Sequence, residues 1–148
     1  MYLLLTEMGH LGISLMLGHL IFKRYKRVLS YILVLISGFL VDLDHLLDYF
    51  IHEGLKFDPS NFFSGFHYHE TNTSYIFLHS WELVLLLGVL TFFSRKKYIW
   101  LPLVLGLVGH LIWDHLTNPA YWYTYFLTAR YLHGFALEKL FAFWFVVK

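Results

Sequence analysis

A chain of 148 residues that is 58% hydrophobic and 14% charged, with a mean hydropathy of +0.57, departs from soluble domains, which carry about 25% charged residues. That length allows one domain, residues 1–148. Lack of cysteine excludes a disulfide framework, a thiolate metal site and a cysteine nucleophile, and no basic face interleaved with aromatics offers itself to nucleic acid.

A membrane-crossing helix needs about 20 apolar residues. The first such segment, Leu3 to Phe22, has no basic stretch before it and no small-residue cleavage site after it, so it reads as a retained helix. It carries His10, with Glu7 and Ser14 on the same face. The second, Val28 to Ile51, carries Asp42, Asp44 and His45. Asp42 and His45 share a face at i and i+3. Asp44 points elsewhere on an ideal helix and joins them only if the helix is distorted near Gly38. A long loop follows, His52 to Ser74, in which His52, His67 and His69 are expected to be solvated; Asp48 is expected near the surface. The third segment, Tyr75 to Phe93, opens with His79 and Glu82. The fourth, Tyr98 to Leu116, carries His110 and Asp114 at i and i+4. The fifth, Ala120 to Lys148, holds Arg130, His133, Glu138 and Lys139. It is either a span or a short interfacial helix followed by one. The expected fold is all-α, an antiparallel transmembrane bundle of four to five helices.

Lys23, Arg24, Lys26 and Arg27 lie between segments one and two, and Arg95, Lys96 and Lys97 between three and four. The positive-inside rule puts both loops in the cytoplasm. The N-terminus and the 52–74 loop then face outward, and a cytoplasmic (inner) membrane is the simplest location.

Vertical position brings the ionisable residues together. At roughly 1.5 Å of rise per residue, His10 sits about 10 Å below the outer edge of the hydrocarbon core. Asp42 and Asp44 sit roughly 21–24 Å above the inner edge, His79 and Glu82 within about 10 Å of the outer one, and His110 and Asp114 roughly 18–24 Å up. Such residues usually face a bundle interior, because a charge facing lipid costs several kcal/mol. Carboxylates at one level repel unless protons or a cation neutralise them. Imidazoles and carboxylates together are ligands for Zn²⁺ and similar divalent ions. The candidate metal ligands are therefore His10, Asp42, Asp44, His79, His110 and Asp114, for one or two ions; the plainer alternative is a hydrogen-bond network that fixes helix packing. His45 is expected behind the ligands or at the interface. Arg130, roughly 15 Å deep if segment five spans, needs an anion. That anion is either a substrate phosphate or carboxylate, or one of Asp42, Asp44 and Asp114.

The run Gly38-Phe-Leu-Val-Asp42-Leu-Asp44-His45, then His79-Ser80, then His110-Leu-Ile-Trp-Asp114, with His10 before them, resembles the small bacterial and archaeal membrane-bound predicted metal-dependent hydrolases, a family that includes LexA-regulated inner-membrane proteins. The resemblance covers about the first 120 residues. It departs where many members carry a His-Arg pair shortly before the His-Ser; here Tyr75 and Ile76 stand there. The resemblance implies a hydrolase. In that reading Glu82 or Asp44 takes the proton as general base and Arg130 holds the anionic part of the substrate. A site near the lipid boundary favours an amphiphilic ester or phosphoester. Two other functions compete: a membrane protein that binds or moves metal ions or protons, and a non-catalytic structural bundle. Few polar residues continue down the inner half of the bundle, which counts against a through-path.

Overall fold

The computed structural model describes residues 2–142. Among these the chain is all-helical, with no strand beyond two isolated bridges, Thr73 to Ala136 and Ala120 to Phe141. Its frame is two long helices, α1 (Tyr2–Tyr25) and α7 (Lys97–Thr117). Leu5–Tyr25 and Lys97–Thr117 are each long and apolar enough to cross a membrane. Helix α2 (Val28–Gly38) packs against both.

The expected second span is bent. After Gly38 the chain makes a 3₁₀ turn (Leu40–Leu43) and continues as α3 (Asp44–Glu53), turned by 51° from α2. Counted as one broken crossing, the pair is a third candidate span. The close approach of α2 to α7 requires glycine. A Cβ on Gly106 of α7 would stand 2.6 Å from the carbonyl oxygen of Val34, and one on Gly38 would stand 3.0 Å from the carbonyl oxygen of Gly106. Small residues that let backbones touch are the usual device of helix packing in lipid. The Ser30 hydroxyl adds a bond to the Tyr98 carbonyl at 2.6 Å. Gly106→Ala is expected to cost about 1–3 kcal/mol by overpacking against backbone that cannot swing away. A lowered melting temperature in detergent checks this, whereas Gly12→Ala, with open space at its Cβ, should leave it unchanged.

The third element is shorter than its apolar run. Helix α6 (Trp81–Phe93) begins at Trp81 rather than Tyr75, because the Ser80 hydroxyl accepts the Leu83 N–H at 3.2 Å as an N-cap. The residues before it are extended and held from outside. Asp48 accepts from the Tyr75 N–H, Asp44 accepts from the Leu78 N–H, and the Phe135 carbonyl accepts from the Ser74 N–H. The long loop is also built: Asp58 caps α4 (Pro59–Ser64), and Gly65, at φ +68°, turns the chain into α5 (Phe66–Thr71). In segment five, residues 120–142 contain two short helices, α8 (Leu127–Leu132) and α9 (Leu137–Leu140); residues 143–148 lie outside the described part.

An apolar core of Val41, Leu107, Leu111 and Tyr125 sits under the bend, with Trp81, Val84 and Leu87 packed on it. Large apolar side chains also face outward along α1, α6 and α7, among them Met16, Leu20, Leu85, Phe92, Phe93 and Leu116. Continuous exposure of that kind marks a surface meant for lipid or protein rather than water.

Candidate metal centre

The break after Gly38 decides the geometry of the site. On a straight helix Asp42 and Asp44 would diverge; the 3₁₀ turn swings both toward His79, which arrives on the extended strip before α6. Asp42 Oδ1 lies 3.0 Å from His79 Nε2, and Asp44 Oδ2 lies 3.1 Å from His79 Nδ1. Asp44 also accepts the Leu78 N–H at 2.9 Å, which fixes the carboxylate that fixes the ring. From α7, His110 and Asp114 project one turn apart. His110 Nε2 lies 2.9 Å from His79 Nε2, 3.3 Å from Asp114 Oδ2 and 3.5 Å from Asp42 Oδ1. From α1, His10 stacks on His110 with ring centroids 3.9 Å apart and sets its Nε2 3.2 Å from Asp114 Oδ1. The three imidazoles of His10, His79 and His110 are each 1% exposed. The Asp42 side chain, 21% exposed, is the open edge of the cluster.

The far nitrogen assigns the tautomer of His110: its Nδ1 faces the Gly38 carbonyl at 3.2 Å, an acceptor, so Nδ1 carries the proton and Nε2 is a lone pair. His79 has a carboxylate at each nitrogen, Asp44 at Nδ1 and Asp42 at Nε2, so each can hold a proton. The two Nε2 atoms face each other across 2.9 Å with carboxylate oxygens around them. Acceptors in such a ring repel unless a proton or a cation lies between them. A tetrahedral ion with bonds of about 2.0–2.1 Å holds neighbouring ligand atoms roughly 3.3 Å apart. The contacts in the cluster, 2.9–3.9 Å, bracket that value. Three overlapping groups each bring one ligand atom per residue within 4.8 Å of one another, close enough that they could hold a metal ion: His10, Asp42 and His110; Asp42, His45 and His79; and His79, His110 and Asp114. An imidazole whose far nitrogen donates to a carboxylate or carbonyl is how metal-binding histidines are usually oriented. Asp44 therefore acts behind His79.

His45 belongs to this set, closer in than its expected place. Its Nε2 is 3.8 Å from Asp42 Oδ1, and its Nδ1 is 2.8 Å from the Tyr68 hydroxyl on α5. The i, i+3 spacing from Asp42 was the signal for it. Glu7, half-buried on α1 three residues before His10, shares the His10 face of that helix by its spacing.

Two candidates stand apart from the cluster. The Glu82 carboxylate accepts the N–H groups of Leu127 (2.9 Å) and Thr128 (3.0 Å) and the Thr128 hydroxyl, so it caps α8. Glu82→Ala is expected to destabilise the fold by about 1–2 kcal/mol, the range for a lost cap, and to leave bound metal unchanged. Elemental analysis beside a melting curve checks both. Arg130 is 2% exposed and donates from Nε to the Thr124 carbonyl at 2.7 Å and from Nη1 to the Ile76 carbonyl. It pairs with none of Asp42, Asp44 and Asp114 within ion-pair distance. Its Nη2 has no hydrogen-bond partner among the described residues.

Asp48 and His67, both expected near solvent, are buried. Comparison of the chain with known protein families, with curated proteins and with solved structures gives no match, so the reading of this centre rests on its own geometry.

Proposed function

We propose that the chain is a membrane-embedded, metal-dependent hydrolase, with zinc as the ion, acting on an amphiphilic ester or phosphoester near the outer face of a cytoplasmic membrane. One observation carries the reading: the Nε2 atoms of His79 and His110 converge at 2.9 Å inside a ring of carboxylates, each ring held by its other nitrogen. That arrangement is what a divalent ion requires, and the similarity of these residues to the membrane-bound predicted hydrolases gives the ion a reaction. In this reading the bent α2–α3 pair and the α6 segment also cross the bilayer, making four spans or five with segment five. The basic loops are cytoplasmic, and the N-terminus and 52–74 loop are outside.

His10, Asp42, His79, His110 and Asp114 would hold the ion, with His45 at the open edge and Asp44 orienting His79. A bound ion of this kind supplies Lewis acidity and an acidified water. The protein's own residues do the rest. Glu7, at the rim and not engaged as a cap, is better placed than Glu82 to take a proton. The unpartnered Nη2 of Arg130 is a donor for an anionic headgroup. The apolar outer surface would leave a substrate's acyl chains in lipid while its headgroup enters past Asp42.

The test is purification in detergent without chelator, then elemental analysis and turnover of phospholipid and phosphoester panels. Stoichiometric zinc, with turnover lost on chelation and restored by Zn²⁺, is the expected result. Protein without bound metal removes the basis of the hydrolase. Bound metal with no turnover but ion flux into vesicles replaces it with transport.

A further inference from the structure

A second polar cluster lies one turn along α3 from the first, beneath the loop helices. Asp48 and His52 stand at i and i+4 on α3, the spacing by which His110 and Asp114 share a face of α7. His52 Nε2 is 3.5 Å from Asp48 Oδ1, and Asp48 is fully buried. His67 arrives from α5 with its ring centroid 6.3 Å from that of His52. It is 1% exposed, packed among Tyr49, Phe62 and Tyr68, and neither of its ring nitrogens has a hydrogen-bond partner among the described residues. Leaving a buried donor or acceptor unmade costs about 1–3 kcal/mol per group, and a phenylalanine would fit those aromatic walls without that cost. Burial pushes the His67 pKa below the usual imidazole range, with the charge of Asp48 opposing, so near pH 7 the ring is neutral and offers a lone pair.

We propose that Asp48, His52 and His67 form a second, separate site for a divalent transition ion, which fastens α5 to α3. Two imidazoles and a carboxylate are a donor set for Zn²⁺, Ni²⁺ or Co²⁺. An ion with nitrogen bonds of about 2.1 Å keeps two ring centroids roughly 5–6 Å apart, so binding draws His67 inward from its 6.3 Å separation from His52. The consequence is local. Closing α5 onto α3 holds Tyr68, the residue after His67, against His45 at the edge of the first centre. This site does not depend on the hydrolase reading, because none of its three residues belongs to the first ligand set.

The test uses the full-length chain in detergent, equilibrated with Zn²⁺ and dialysed, and compares His67→Phe with His110→Ala. His67→Phe is expected to hold one zinc equivalent fewer than the unsubstituted chain while melting at the same or a higher temperature in metal-free buffer, as a phenylalanine suited to aromatic walls should. His110→Ala is expected to keep that equivalent. A second readout is tryptic cleavage at the exposed Lys56 in the fastened loop. Zn²⁺ at ten times its dissociation constant should slow cleavage about tenfold in the unsubstituted chain and in His110→Ala, and leave His67→Phe unprotected. Equal zinc content in His67→Phe and the unsubstituted chain, or cleavage at Lys56 indifferent to Zn²⁺, overturns the second site. Loss of metal from His110→Ala alone bears only on the first.

Discussion

Replacing His110 with alanine is expected to abolish metal binding at the His/Asp centre and with it any metal-dependent turnover. His110 takes part in two of the three groups that can hold an ion, stacks on His10, and carries the Nε2 that opposes His79. Removing it leaves His79, Asp42 and Asp114 without the ring that spans them. Asp44→Asn is the graded comparison. Asp44 touches His79 through Nδ1, so its loss misorients a ligand without deleting one; outer partners of this kind cost about 10–100-fold in metal affinity. Competition titration with a zinc chelator separates the two. In the His67→Phe background, which lacks the second site, His110→Ala should fall below the measurable range, while Asp44→Asn should stay within two orders of magnitude of its parent. Equal losses would mean that Asp44 is itself a ligand; no loss in either would mean that the cluster holds no ion. If ion binding is coupled to folding, chelation should also lower the melting temperature, since an ion at a thousand times its dissociation constant contributes about 4 kcal/mol.

The second large effect is expected at Arg130. Its guanidinium stitches α8 to the Ile76 carbonyl, three residues before His79, and to the Thr124 carbonyl. Arg130→Ala would leave two buried carbonyls unpartnered, at about 1–3 kcal/mol each. It would also open a cavity, for which large-to-small changes cost roughly 2–5 kcal/mol. The sum approaches the whole stability of an ordinary domain, about 5–15 kcal/mol. Arg130→Ala is therefore expected to yield little folded protein, whereas Arg130→Lys, keeping the charge and one donor, should fold with a lower melting temperature. If Nη2 also binds a substrate headgroup, Arg130→Lys should raise KM more than it lowers kcat. Yield and melting temperature after detergent extraction check the first part. An alanine variant as stable as the original would show that the carbonyl contacts carry no weight.

Much of this was legible in the sequence because long apolar runs leave few options. Long uninterrupted apolar runs gave α1 and α7. Helical rise put His10, Asp42, Asp44, His79, His110 and Asp114 at one level, and the structure places their side chains together. Rise fixes height but not direction around the bundle axis, so Glu82 shares the level yet turns away to cap α8. Arg130 likewise spends its donors on carbonyls rather than on the acids. Hydropathy could not show that Tyr75 to Ser80 is non-helical, because a short apolar run reads alike in either conformation; the N-cap at Ser80 was the local sign. The bend after Gly38 was visible only as a condition for Asp44 to join the site, since a glycine permits a break without demanding one. The burial of Asp48 and His67 was not legible, because loop composition does not reveal that α4 and α5 fold back over α3.

Zinc-edge X-ray absorption on protein purified without chelator tests the central claim most directly. Imidazoles and carboxylates from four chain segments sharing a cation predict nitrogen and oxygen scatterers at about 2.0–2.1 Å with the multiple-scattering pattern of at least two histidine rings; in the His67→Phe background, which removes the second site, all are lost on adding His110→Ala. A spectrum of hydrated zinc, or one that His110→Ala leaves identical in that background, would contradict it.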